Sequence, residues 1–221
     1  MISITETFIS IQGEGLNIGK PAFFIRTGHC SVRCKLCDTP YSWESKSKIS
    51  ASKLAEKVAQ HELPVVVITG GEPLEEKSLP FLLHKLSKLN TVKEVIIETC
   101  GAIFRNDLSS EKLKLVISPK PPSMKDNFPV ENALKLIKHY KNAELKVGVL
   151  TEKDYAFAKK LIIKAIPHLQ LPPVIQPIET PEENYSQTAK RIINKILLDK
   201  DFIKSTNVRI IPQIHKLIGI K

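Results

Sequence analysis

The sequence predicts an α/β fold: a partial, (β/α)6-type parallel barrel with short N-terminal and C-terminal extensions. Three observations predict it. Six short strand-like runs recur at intervals of about 20 to 40 residues, most of them separated by helical patterns. Several runs are apolar at every position, the mark of parallel strands covered on both faces. The runs also stop short of the eight units of a closed barrel.

The elements follow in order. Ala22-Phe23-Phe24-Ile25-Arg26 is the first run. Ser50 caps a helix over Ala51 to Gln60, with Leu54, Ala55 and Val58 on one face. Val65-Val66-Val67-Ile68 is the next strand, followed by a helix from Pro80 to Leu89. Val95-Ile96-Ile97 and Leu115-Val116-Ile117 are strands, then comes a helix from Glu131 to Tyr140 and a strand from Leu145 to Leu150. A helix from Lys153 to Ile166, the strand Val174-Ile175, a helix from Glu183 to Leu198 and a tail strand, Val208 to Ile211, complete the series. A flavodoxin-like doubly wound sheet is the alternative. In either architecture chemistry sits beyond the carboxyl ends of the strands, which singles out Thr69-Gly70-Gly71-Glu72, Glu98-Thr99, Ser118-Pro119-Lys120 and Gln176-Pro177.

The 221 residues read as a single domain, 1–221, without repeats or low-complexity segments. An apolar fraction of 42% with 25% charged residues excludes a disordered or collagen-like chain. The longest apolar runs are far too short for a membrane span, and no signal peptide is visible, so a cytoplasmic protein without a membrane partner is expected. The formal charge of +10 comes from 28 lysines and five arginines spread along the whole chain. That pattern is a solvated surface and not a nucleic-acid stripe, which clusters its charge.

The cysteines carry the chemistry. Cys30, Cys34 and Cys37 form a C-x3-C-x2-C run just after the first strand. An odd cluster in such a chain does not suit disulfides. Zinc would want a fourth ligand, and His29, adjacent to Cys30, is badly placed to close a tetrahedron. A cubane cluster of four irons normally takes four cysteines, so three leave one iron open to a substrate or cofactor.

With this spacing the sequence resembles the radical S-adenosylmethionine enzymes. The resemblance implies one 4Fe–4S cluster whose open iron is chelated by S-adenosylmethionine, and a 5′-deoxyadenosyl radical that abstracts hydrogen from the substrate. Thr69-Gly70-Gly71-Glu72-Pro73, directly after a strand, matches that superfamily's glycine-rich stretch, where backbone closely approaches the cofactor.

Further stretches resemble the 7-carboxy-7-deazaguanine synthase family: Phe8 to Gly15 (FISIQGEG), Pro21 to Arg26, Cys37 to Trp43 (CDTPYSW), Ile97 to Gly101, Ser118-Pro119-Lys120 and Arg209 to Lys216. The resemblance implies a lyase that converts 6-carboxy-5,6,7,8-tetrahydropterin to 7-carboxy-7-deazaguanine with loss of ammonia, toward queuosine and related deazapurines. It also implies Mg2+, an electron donor such as flavodoxin or ferredoxin, and a homodimer. By the same resemblance Cys30, Cys34 and Cys37 hold the cluster, and Leu36, Cys37, Asp38, Gly71, Ser118 and Lys120 contact S-adenosylmethionine. Thr39 gives its hydroxyl to magnesium. Ile11, Gln12 and Gly13 present backbone to the pterin edge, Thr69 is a further contact, and Arg26 meets the substrate carboxylate, a sound use of a planar guanidinium.

Several residues stay open between two roles. Glu98 reaches either ribose hydroxyls or a buried protein donor; Tyr41 and Trp43 either cover the cluster or pack in the core. His215 falls in the family-like tail and Gln176 at a strand end, with no role assigned. His61, His84, His139 and His168 read as surface residues. Cys100 stands where the family carries asparagine or serine and reads as a packed thiol. The chain finishes Leu217-Ile218-Gly219-Ile220-Lys221, and the lysine departs from a C-terminus that in the family can reach the substrate. Two rival readings share the cysteine spacing or the basic charge, a glycyl-radical-enzyme activase and a zinc-stabilised basic nucleic-acid-binding module.

Overall fold

Alternating residues of each strand face opposite ways, and here the two faces meet different surroundings. The computed structural model describes residues 1–44 and 47–220. Among these, nine strands form one sheet: β1 (Ile2–Ile11), β2 (Pro21–Thr27), β3 (Ser47–Ile49), β4 (Val65–Gly70), β5 (Glu94–Thr99), β6 (Leu113–Ile117), β7 (Ala143–Val149), β8 (Val174–Pro177) and β9 (Arg209–Ile210). Their order is β3-β1-β2-β4-β5-β6-β7-β8-β9. From β2 to β9 the pairs are parallel and follow chain order, whereas β1 is antiparallel to both β2 and β3.

That order decides between the two architectures. A doubly wound sheet reverses its direction of growth midway; the parallel part of this one, β2 to β9, never does, so the flavodoxin-like alternative is excluded. Crossovers of one hand that always step the same way place their helices on one face. Helices α1 (Ala51–Ala59), α2 (Leu79–Ser87), α3 (Val130–His139), α4 (Glu152–Ala165) and α5 (Tyr185–Leu197) are joined by the shorter α6 (Lys200–Thr206) and α7 (Ile214–Ile218). No helix among the described residues is long and apolar enough to cross a membrane.

Local sequence explains where the helices begin. Ser50 accepts from Lys53 N at 3.2 Å at the start of α1. Thr151 and Asp154 form a reciprocal capping box on α4, and the buried Asp154 also accepts from Ser123 N at 2.9 Å, tying that helix to the loop after β6. The main core lies between the helices and the outer face of the sheet, where Ile25, Ile68, Ile97 and Leu145 meet Leu54, Leu82, Leu86 and Ile162. On the inner face a smaller apolar layer of Ala22, Phe24, Val65, Val67, Ile96 and Val116 fills the amino-terminal ends of the strands, covered by Phe8.

The sequence reading placed no element on β1, β3, α6 or α7. Strand β1 was hidden because only part of it alternates cleanly and it lies at the sheet's antiparallel border, where one face stays half open. The tail strand shortens to two residues: Arg209 and Ile210 pair with Val174 and Ile175, and Ile211 N makes the last bond, to Ile175 O at 3.0 Å.

Candidate active site

Two residues beyond the inner apolar layer, the same faces turn polar. Arg26, Thr69, Glu98 and Ser118 each follow Phe24, Val67, Ile96 and Val116 by two positions along their chains, joined by Lys146 from β7 and Gln176 from β8. They line one cavity of about 1040 Å³ at the carboxyl ends of the parallel strands. The same cavity collects every residue that the sequence reading marked for a site: Ile11, Gln12, Gly13, Arg26, Cys30, Cys34, Leu36, Cys37, Asp38, Thr39, Thr69, Gly71, Ser118 and Lys120. His61, His84, His139 and His168 are exposed. Lys221 lies outside the described residues.

The cysteine loop leaves β2 and is clamped from below. Gly71 N donates to Thr27 O at 3.0 Å and Glu72 N to His29 O at 2.9 Å, so the Gly70-Gly71-Glu72 turn lies directly against the backbone that leads into Cys30. A Cβ on Gly71 would sit 1.8 Å from His29 O. Glu72 is itself buried and accepts from Thr99 Oγ1 (2.6 Å), Leu74 N (2.9 Å) and Cys100 N (2.8 Å). On the far side Lys35 N donates to Met124 O at 2.8 Å.

All four cysteines are free thiols. Cys30, Cys34 and Cys100 pack with Val32 and Phe128, and Cys37, Trp43 and Met124 border them. Trp43 therefore packs beside the cysteines, with Arg33 over its ring at 5.9 Å. Burial pushes the Cys34 thiol up to about 11 and raises Cys30, and Cys100 stands well above its ordinary value. For Lys120, burial favours the neutral amine, but the facing Cys34 and Cys100 outweigh it and raise its pKa.

This arrangement fits an iron–sulfur cluster. Three free thiols from one short loop border a single cavity under an apolar cover, the kind of shell that controls solvent access to a metal centre. Among the described residues no three such side chains converge as one metal ion demands; a cluster spreads its thiolates over separate irons, so it makes no such demand. A ligand in the same cavity also finds a waiting partner. Gln176 is 4% exposed, and its Oε1 has no hydrogen-bond partner among the described residues, an acceptor on the cavity wall. Thr39 adds a hydroxyl oxygen, 3.8 Å from Cys37 Sγ, with Asp38 exposed beside it, an oxygen set suited to a hard cation.

Arg26 is held from two directions. Its Nε donates to Glu6 Oε1 at 2.8 Å, and its guanidinium lies 5.3 Å from the Phe8 ring and 5.9 Å from that of Tyr41. Tyr41 OH donates to the same Glu6 oxygen at 3.1 Å, so Tyr41 belongs with Arg26. Glu98 spends both oxygens on protein donors, Gln12 Nε2 and Lys146 Nζ, each at 2.9 Å. Of its two open roles, the structure shows the buried protein contact. His215 is half-buried on the cavity wall, 3.9 Å from Glu14.

The sequence reading missed Glu14, Glu144, Lys146 and Gln213. A signal was present in β7, where Glu144 and Lys146 occupy alternate positions of an otherwise apolar strand and so must face one way. Glu144 is 2% exposed, and burial pushes it up to about 7, with Lys146 opposing and Glu98 adding to the rise. A carboxyl raised in the folded state holds a proton that the unfolded chain has lost, so stability declines as pH climbs from the ordinary 4.5 toward about 7. That decline is worth roughly 3 kcal/mol. Glu144→Gln is expected to remove it, stabilising the chain at pH 8 and leaving stability near pH 4.5 almost unchanged. Urea unfolding at both pH values checks this; equal gains at the two would show that the Glu144 proton is not involved.

The Radical SAM superfamily model matches residues 24–162, from β2 through most of α4. The crystal structure of QueE from Escherichia coli superposes with a TM-score of 0.69 at 25% identity, covering 97% of this chain and 94% of that one. The 7-carboxy-7-deazaguanine synthase of Thermoplasma acidophilum is 35% identical over 218 residues, 97% of this chain and 96% of the relative. That of Aquifex aeolicus is 33% identical over 227 residues, spanning all of this chain and 95% of the relative. The fold and the cysteine loop are those of a radical SAM enzyme, a class that works with a 4Fe–4S cluster and S-adenosylmethionine. Within it, this chain belongs to the 7-carboxy-7-deazaguanine synthase family. Neither the activase nor the zinc-stabilised module is favoured.

Proposed function

We propose that the chain converts 6-carboxy-5,6,7,8-tetrahydropterin to 7-carboxy-7-deazaguanine with loss of ammonia, a lyase step toward queuosine or a related deazapurine. The observation that carries it is the convergence on one cavity of the three free cysteines, the Ile11-Gln12-Gly13 turn, Arg26, Thr39 and Thr69. When bound, the cluster and S-adenosylmethionine supply one-electron chemistry that removes a hydrogen atom from the substrate. The chain's own residues bind and orient. Cys30, Cys34 and Cys37 hold the cluster; Leu36, Cys37, Asp38, Gly71, Ser118 and Lys120 cradle the cofactor. Arg26, fixed by Glu6 and stacked on Phe8, receives the substrate carboxylate. The backbone of Ile11 to Gly13 and the Thr69 hydroxyl hold the ring. Phe24, Val67, Ile96 and Val116 close the bottom of the site to water.

Thr39 offers its hydroxyl to Mg2+ beside the substrate carboxylate. Thr39→Ala is expected to raise the magnesium requirement about tenfold while the cluster's visible absorbance stays unchanged. A magnesium titration of turnover checks this, and an unaltered requirement removes Thr39 from the site. The reductant is an external one-electron carrier of the flavodoxin or ferredoxin kind and the chain acts as a homodimer, two readings that the family resemblance supports; it acts in the cytoplasm, a reducing setting that suits its four free thiols.

The experiment is an anaerobic turnover assay with reconstituted protein, S-adenosylmethionine, reductant, Mg2+ and 6-carboxytetrahydropterin, read by mass spectrometry. Formation of 7-carboxy-7-deazaguanine is expected. Cleavage to 5′-deoxyadenosine without that product would leave the radical chemistry in place and discard the substrate.

A further inference from the structure

Lys146 carries a charge that the chemistry above does not use. It lies on the inner face of β7, 3% exposed, between two carboxylates. Its Nζ donates to Glu14 Oε2 at 2.5 Å and to Glu98 Oε2 at 2.9 Å. The other oxygens of this pair are taken as well: Gln12 Nε2 donates to Glu98 Oε1 at 2.9 Å, and Gln213 Nε2 to Glu14 Oε1 at 2.5 Å. The turn after β1, strands β5 and β7, and the C-terminal segment thus meet around one ammonium group. The sheet runs open from β3 to β9, so no ladder joins these parts across the cavity. A main-chain tie between the tail and the turn is Ile214 N to Gly13 O at 2.9 Å.

We infer that Lys146 is a positioning residue: by holding Glu14 and Glu98 together it fixes the Gln12–Glu14 turn and the Gln213 segment across the cavity, where the turn presents its backbone to the substrate. The substrate in this inference rests on the pterin reading; the geometry does not.

The physical reason is a count of charges. Two buried carboxylates share one cation, and removing that cation leaves like charges facing each other in a low-dielectric interior. Burial works against the Glu14 carboxylate, but Lys146 overcomes it and holds Glu14 well below the usual range. Glu98 is pushed up, by burial first and by the Glu14 charge in addition. Burial also works against the Lys146 ammonium, and the two carboxylates outweigh it, so Lys146 stays protonated. Other groups facing the pair do not replace it. Lys120 acts on Glu98 only at a distance, His215 Nε2 remains 3.9 Å from Glu14, and Glu144, a carboxyl itself, offers no positive charge.

The test compares Lys146→Met with the double variant Lys146→Met/Glu98→Gln, both as full chains with reconstituted cluster. Lys146→Met is expected to keep cluster absorbance and S-adenosylmethionine cleavage but to raise KM for the pterin about 30-fold or more, with kcat little changed. The defect should deepen as pH rises, because both carboxylates then ionise without a counter-charge. The double variant leaves a single ionisable carboxylate and should recover most of the KM and lose the pH dependence. A residue that only fills space would show neither the rescue nor the pH effect.

Hydrogen exchange supplies a readout that needs no substrate. Amides of residues 12–17 and 211–216 should exchange faster in Lys146→Met and return toward wild type in the double variant, while β4 to β6 stay protected. A single variant that fails to fold beside a double variant that folds supports the charge argument. Unchanged exchange and KM in Lys146→Met, a double variant no better than the single, or failure of both to fold would each overturn the positioning role. Should the wild-type chain make no deazaguanine, the exchange comparison still decides the inference, and the functional reading alone falls.

Discussion

Cys34→Ala is expected to give a folded chain that holds no cluster, cleaves no S-adenosylmethionine and makes no product. Cys34 is 6% exposed in an apolar setting beside Cys30, Cys100 and Phe128, so replacing its sulfur leaves a small void. A void of that size costs on the order of 1 kcal/mol, which in a chain of this length lowers Tm by only about 2–4 °C. Activity behaves differently, because two thiolates leave a second iron without a protein ligand. Catalysis should fall to background, a loss of at least a million-fold or so for chemistry that depends on the cofactor. Visible absorbance with iron and sulfide analysis, set beside the melting curve, separates loss of the cluster from loss of the fold. Cys100→Ala is the matched comparison: it lies in the same apolar cluster and should retain iron. Turnover by Cys34→Ala, or loss of the cluster from Cys100→Ala, would reassign the ligands.

Gly71→Ala is expected to damage both stability and the site, for a steric reason. The added Cβ would fall 1.8 Å from His29 O and 2.5 Å from His29 C, and both are backbone atoms that cannot swing aside as a side chain does. Relief requires moving the segment that carries Cys30, yet Gly71 N and Glu72 N are hydrogen-bonded to that same segment. Overpacking against backbone costs about 3 kcal/mol or more, and Tm should fall by roughly 6–12 °C. Cluster reconstitution should suffer along with it. Gly19→Ala is the control; its φ is +86°, but no atom lies within 4 Å of the new Cβ. That variant should lose about 1 kcal/mol and keep its cluster. A Gly71→Ala chain with wild-type Tm and full iron content would show that the cysteine loop yields freely.

Much of the site was legible because its signals are short-range. Three cysteines within eight residues read as one inorganic centre before any fold is known, and Val65 to Ile68 followed by two glycines reads as a strand end with a close approach. Arg26 was visible as a charge closing an apolar strand. What escaped has a common cause. Strand β1 has weak alternation and takes its meaning from pairing with β2 and β3. Glu14 and Lys146 are 132 residues apart, and neither predicts the other. Glu98 was noticed, but its partners, Gln12 and Lys146, lie 86 and 48 residues away.

By itself, then, the sequence determined the class of the sheet, the cysteine loop and its metal chemistry, and the strand ends where chemistry would gather. Each depends on periodicity or spacing within a few residues, which local backbone geometry converts directly into structure. The tertiary structure alone decided that the parallel strands, β2 to β9, follow one another without reversal, leaving one face of the sheet free of crossover helices for a cavity. It alone decided that Glu6 would orient Arg26, and that one buried ammonium would tie the turn after β1 to the C-terminal segment. Those pairings follow from strand order and register, and a one-residue slip in either strand would turn Glu98 or Lys146 to the opposite face.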